Sequence, residues 1–157
     1  MFAEKLAFYD TLTAQCAALI SDETDFIANL ANVSALLFME MPDLNWSGFY
    51  LLKDGQLVLG PFQGKPACVR IDIGKGVCRT AVASGEVQLV KDVHEFPGHI
   101  ACDAASNSEI DFPLRVHGEI IGVLDIDSPS MARFDEADQQ GLANVVRALE
   151  QRLEQTL

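Results

Sequence analysis

The chain has 157 residues, 49% of them hydrophobic, and a formal net charge of −12 at pH 7. That is enough apolar material for one domain with a substantial core, and so acidic a chain is a poor partner for nucleic acid or an anionic membrane, both of which require a basic face. No apolar run approaches a membrane span, and Glu4 and Asp10 interrupt the first residues, so neither a transmembrane segment nor a signal peptide is expected.

In chain order, Phe2 to Ile20 places Phe8, Leu12, Cys16 and Leu19 on one face of a helix, which makes Cys16 a core thiol. Ser21 or Asp22 can cap a second helix with Ile27, Leu30, Ala31, Ser34, Leu37, Phe38 and Met41 on one stripe, and Pro42 ends it. Trp46 to Leu52 and Leu57 to Gln63 read as a hairpin closed by Asp54-Gly55. Trp46, Gly48 and Tyr50 then share a face, either packed as core or forming an aromatic wall, with Gly48 leaving a shelf for a ligand.

Ala67 to Ile73 alternates weakly and contains Cys68; Gly74-Lys75-Gly76 then opens a short helix, Val77 to Ser84, that Gly85 ends. The Gly-Lys-Gly element lacks the spacing of a phosphate loop, and Cys78 falls among apolar neighbours where packing suits it. A short strand, Glu86 to Val90, leads into a loop, Lys91 to Gly98, that contains His94. Phe112 to Val116 and Glu119 to Asp125 flank a tight turn at His117-Gly118, where His117 is expected to be solvated. On the second of these strands Ile121, Val123, Asp125 and Asp127 point to one face, so the two carboxylates mark either a solvated strand end or an acidic pocket. Ser128-Pro129 stops the strand, and Asp135 to Leu157 is an amphipathic helix with Leu142, Val145, Val146, Leu149 and Leu153 inward.

This order predicts an α+β domain spanning residues 1–157: a central antiparallel sheet with the N- and C-terminal helices on one face and active-site loops over the other. The stretch from His99 to Ile110 carries Cys102 among Ala, Asp, Ser and Asn. It is either a capped turn with an incidental thiol or a loop whose N–H groups hold a ligand or a thiolate. Four cysteines, at 16, 68, 78 and 102, form no Cys-x-x-Cys pair and no framework, and read as reduced thiols of a cytoplasmic protein.

Five segments together resemble the free methionine-(R)-sulfoxide reductases of the GAF superfamily: Asn45-Trp46-Ser47-Gly48-Phe49-Tyr50, Leu59 to Gly64, Ile73 to Cys78, His99 to Glu109, and Gly122 to Pro129. The resemblance implies a GAF-like fold and reduction of free methionine (R)-sulfoxide. It implies that Cys102 is the catalytic cysteine, that Cys68 resolves it through a disulfide, and that Cys78 is auxiliary or an alternative resolver. Glu109, Asp125 and Asp127 match pocket carboxylates, with Trp46 and Tyr50 as aromatic neighbours. No metal or organic cofactor is implied; thioredoxin is the external reductant, and a homodimer is compatible with the fold. Asp111 stands where an apolar strand residue is expected, on the same face as Glu109, either as a further charge or as an exposed strand end.

The chemistry of the residues agrees with that resemblance. Sulfoxide reduction needs a soft nucleophile at sulfur and a proton for the departing oxygen, which a Cys beside crowded carboxylic acids supplies. The other carboxylates would hold the ammonium of a free amino acid, and Glu109 or Asp127 would donate the proton. His94 and His99 flank the loop, where they could shape it or help a proton move, rather than take a direct part in the chemistry. Two other classes compete: a GAF-like module that binds a small ligand or reports redox state, and a zinc hydrolase built from cysteines with His94 or His99, whose spacing fits no familiar site.

Overall fold

Asp54 and Gly55 both adopt positive φ, 51° and 78°, as do His117 and Gly118 at 52° and 80°. These are the angles of the two-residue turns whose twist matches paired strands. The first turn joins β1 (Trp46–Lys53) to β2 (Gln56–Gly64), and the second joins β5 (Ser108–Val116) to β6 (Glu119–Ser128). The computed structural model describes residues 2–71, 76–98 and 105–157. Cys102, His99 and Gly74-Lys75 lie outside the described residues.

Two shorter strands, β3 (Arg70–Ile71) and β4 (Gln88–Val90), complete a six-stranded sheet of order β3-β2-β1-β6-β5-β4 in which each recorded pair is antiparallel. The expected strand over Ala67 to Ile73 is thus reduced to two described residues, and Glu86 and Val87 precede β4 rather than joining it.

Three helices cover one face: α1 (Phe2–Ile20), α2 (Phe26–Glu40) and α4 (Glu136–Thr156). Their buried residues meet Phe49, Leu51, Ile110, Phe112, Leu114, Leu124 and Ile126 of the sheet in the larger core. All five predicted core residues of α4 are buried there, and Asp135 and Asp138 close its N-terminus as a reciprocal capping box.

Two helix faces depart from expectation. On α1 the buried stripe is Tyr9, Leu12, Cys16 and Ile20, while Leu19 is exposed. Tyr9 faces inward because its hydroxyl donates to Asp138 at 2.7 Å and because Gly141 leaves room for its ring; a Cβ built on Gly141 would lie 2.2 Å from ring carbons of Tyr9. On α2 the cap is Asp25, whose carboxylate accepts the Ala28 N–H at 2.8 Å. Ser21 is unavailable because its hydroxyl returns to the Ala18 carbonyl at the end of α1, 2.9 Å away. The stripe turns accordingly: Leu30, Val33, Ser34, Leu37 and Met41 are buried, and Ile27 and Ala31 face outward.

The opposite face carries α3 (Val77–Ser84), which the left-handed Gly85 terminates. Its Cys78 and Ala81 pack on Trp46, Tyr50, Leu57, Ile71 and Val123. Ile121 does not join them. The register shifts between Leu114 and Arg115, and Ile121 packs against the helix-side core instead.

Candidate active site

Strand period brings the site together on the face under α3. Across β5 and β6, Glu109 lies opposite Asp127 and Asp111 opposite Asp125; across β6 and β1, Asp127 faces Trp46, Asp125 faces Gly48 and Val123 faces Tyr50. Four carboxylates therefore stand as two directly opposed pairs, an arrangement that like charges make unfavourable unless function or protonation offsets it. None is a solvated strand end: Glu109, Asp111, Asp125 and Asp127 are 6%, 0%, 7% and 9% exposed. Asp111 thus belongs to the site, although strand apolarity spoke against it. Its signal was the shared face with Glu109.

Crowding and burial set the protonation of this face. Burial first, and then Asp125, hold Glu109 well above the ordinary carboxylate range. Burial, followed by Asp125 and Glu109, does the same to Asp111. The Cys78 thiol, buried above the cluster, is pushed up by burial and then by Asp111, Asp125, Glu109 and Asp127, so it is a poor thiolate. Cys16, by contrast, is pushed up to about 11 by burial alone, on the other side of the sheet.

The aromatic residues do two jobs. Trp46 and Tyr50 are each 2% exposed and stack at 5.8 Å between ring centroids, so they are packed side chains of the loop-face core. Their polar tips also hold the segment that carries Cys68: Trp46 Nε1 donates to the Lys65 carbonyl at 3.2 Å and Tyr50 Oη to the Cys68 carbonyl at 2.9 Å. Gly48 leaves no shelf. A Cβ there would lie 2.3 Å from Cβ of Phe62, and the Phe62 ring stacks on Trp46 at 5.1 Å. The register shift between Gly48 and Tyr50 draws Phe62 over the glycine, which the sequence pattern did not reveal.

The chain from Ser106 to Ser108 is pinned in place. Asn45 Nδ2 donates to Ser106 Oγ at 2.9 Å, Asn107 Nδ2 to the Pro129 carbonyl at 2.7 Å, and Ser108 Oγ to the Ser130 carbonyl at 2.6 Å. His94 pairs its Nε2 with Asn107 Oδ1 at 3.0 Å, a positioning contact rather than a place at the carboxylates. His117 is exposed in its turn. Cys68 is half-buried and disulfide-bonded, whereas Cys16 and Cys78 are free. The structure therefore gathers Trp46, Tyr50, Cys78, Glu109, Asp125 and Asp127, adds Asp111, and sets Cys68 beside Tyr50; Cys102 is outside the described residues.

A GAF domain matches residues 13–153. The chain is 59% identical over 152 residues to the free methionine-R-sulfoxide reductase of Escherichia coli strain K12, covering 97% of this chain and 92% of that one. It is 41% identical to the Saccharomyces cerevisiae free methionine-R-sulfoxide reductase, covering 81% of this chain and 75% of the yeast protein. Among solved structures, that of the Neisseria meningitidis free methionine-R-sulfoxide reductase in complex with its substrate superimposes with a TM-score of 0.92 at 45% identity, covering 97% of this chain and 92% of that one. No helix among the described residues is long and apolar enough to cross a membrane.

Proposed function

The chain belongs to the GAF domain family and, within it, to the free methionine-R-sulfoxide reductases, and from this we propose that it reduces free L-methionine (R)-S-oxide to methionine by thiol chemistry. The observation that carries the reading is the buried carboxylate face. Glu109, held protonated by burial and by Asp125, is an acid able to hydrogen-bond the sulfoxide oxygen and release a proton to it. Asp127 opposite is the alternative donor. The remaining carboxylates suit the ammonium of a free amino acid, which a residue inside a polypeptide lacks.

The steps follow. The Cys102 thiolate attacks the sulfoxide sulfur, the oxygen is transferred to the cysteine as a sulfenic acid, and methionine leaves. Cys68 then condenses with the sulfenic acid, forming a disulfide and releasing water. A thioredoxin-type dithiol reduces that disulfide by exchange and returns both thiols. The disulfide-bonded state of Cys68, and the anchoring of its segment by Trp46 and Tyr50, support Cys68 over Cys78 as resolver. Cys78, a free thiol with its pKa pushed up, suits an auxiliary role. The scheme requires no metal or organic cofactor, and the fold is compatible with a homodimer in the cytoplasm.

The test is NADPH consumption coupled through thioredoxin and its reductase, with the R and S epimers of free methionine sulfoxide offered separately beside an R-sulfoxide within a peptide. Turnover of the free R epimer alone is expected. Equal turnover of the peptide would remove the role given to the carboxylates, and normal thioredoxin-dependent turnover by both Cys68→Ser and Cys78→Ser would remove the recycling scheme.

A further inference from the structure

The acidic face has the make-up of a metal site as well as a substrate pocket. Cys78 Sγ and one carboxylate oxygen each from Glu109, Asp111 and Asp125 all lie within 4.8 Å of one another, and all four side chains are buried. Both carboxylate oxygens of Asp111 and Oδ1 of Asp125 are buried without a hydrogen-bond partner. Among the described residues no ion pair reaches Asp111 or Asp125. We propose that this quartet binds a thiophilic divalent cation, Zn²⁺ being the ion that fits, and that the bound metal competes with the sulfoxide for the pocket.

The donor set selects the ion. Zn²⁺ takes four ligands tetrahedrally, with bonds of about 2.3 Å to sulfur and about 2.0–2.2 Å to oxygen, which puts neighbouring donors roughly 3.3–3.6 Å apart. The present spread, within 4.8 Å, is wider than that, so the four side chains would draw together around the ion. A thiolate among the ligands disfavours Mg²⁺ and Ca²⁺, which take oxygen donors. The fold supplies the frame: the β5–β6 register opposes Asp111 to Asp125, Glu109 stands two residues along the same strand face, and α3 sets Cys78 over them. A cation here would satisfy the orphaned oxygens while occupying the space that the substrate needs. The competition rests on the reductase reading; the metal binding does not.

The experiment uses the full chain, stripped of metal with EDTA and dialysed, with Cys68 left in its disulfide. Cys78 is then a free thiol at the site, while Cys16 sits in the helix-side core. Calorimetric titration with ZnCl₂ is expected to show one saturable site per chain, and Co²⁺ to give a thiolate charge-transfer band in the near ultraviolet. Loss of a second-shell group costs a metal site about 10–100-fold in affinity, so Asp111→Asn and Cys78→Ser are each expected to weaken Zn²⁺ at least tenfold, and Cys78→Ser to abolish the band. Absence of saturable Zn²⁺ binding by the wild-type protein overturns the proposal whatever the variants do, and an undiminished band in Cys78→Ser overturns the ligand assignment. In a second arm, pre-reduced, desalted enzyme is given free R-sulfoxide with and without Zn²⁺. First-turnover methionine without metal tests the reductase reading alone, and inhibition relieved by raising the sulfoxide is the expected result. Inhibition that no sulfoxide concentration relieves would defeat the competition.

Discussion

Asp138 and Asp111 are both nearly inaccessible aspartates, 1% and 0% exposed, and their surroundings treat them in opposite ways. Asp138, in the first turn of α4, accepts the Tyr9 hydroxyl at 2.7 Å, the Lys5 ammonium at 2.8 Å and an Arg133 N–H at 3.4 Å. Arg133 in turn donates to the Pro42 carbonyl, so this one carboxylate ties α1, α4 and the chain after α2 together. Asp111 instead faces Asp125 and Glu109, with both oxygens lacking a hydrogen-bond partner. A paired buried acid organises structure. A buried acid set among others raises the energy of the empty fold, and that arrangement belongs where a proton or a cation must be handled.

Substitutions sharpen the contrast, the largest effect falling at the site. Glu109→Gln keeps the shape of the side chain and removes the proton donor, so kcat/KM for free R-sulfoxide should fall about 10²–10⁴-fold without loss of thermal stability. A fall below tenfold would move the donor role to Asp127. Asp138→Ala acts on the other acid and should do the reverse. Leaving Arg133 and the Tyr9 hydroxyl without their partner should lower stability by about 3 kcal/mol, with KM for the sulfoxide unchanged, as read from denaturant midpoints and kinetics on the remaining folded protein. Gly141→Ala drives a methyl group into the Tyr9 ring and should cost about 1–3 kcal/mol by overpacking, against the helix propensity that alanine brings; unchanged stability would mean that Tyr9 is free to move.

The smallest of these effects carries the clearest sign. Burial, Asp125 and Glu109 hold Asp111 well above its ordinary value of 3.8, so the folded chain keeps a proton that the unfolded chain releases. The contribution of such a group is fully present below the unfolded pKa and is lost as pH rises through the folded one. Asp111→Asn should therefore match the wild type in thermal unfolding near pH 4 and exceed it near pH 8. A difference independent of pH would mean that Asp111 does not titrate between the two states. At the Asp138 corner the sign is opposite: although burial raises Asp135, the Asp138 backbone N–H and Lys5 bring it down to about 2, so what it contributes is present above its ordinary value of 3.8 and is lost as pH falls through the folded one.

What the sequence determined by itself is whatever depends on near neighbours in the chain. Asp-Gly and His-Gly between two strands favour the positive φ of a two-residue turn, strand alternation alone places Trp46 with Tyr50 and Glu109 with Asp111, and the five apolar residues read on one side of α4 are all buried. That Asp125 and Asp127 share a face was legible for the same reason, whereas Glu109 was named as a pocket residue through the resemblance carried by the cysteine-bearing segments. Only the tertiary structure decided which face of α1 turned inward, because that rested on Asp138 and the missing side chain of Gly141 more than a hundred residues away. It decided that Phe62 fills the space over Gly48 and that Ile121 crosses to the helix side, because register shifts depend on how two strands meet. It also decided that Asp111 is a buried member of the site rather than a charged strand end, since burial is a property of what packs above a strand: here, α3 and Cys78.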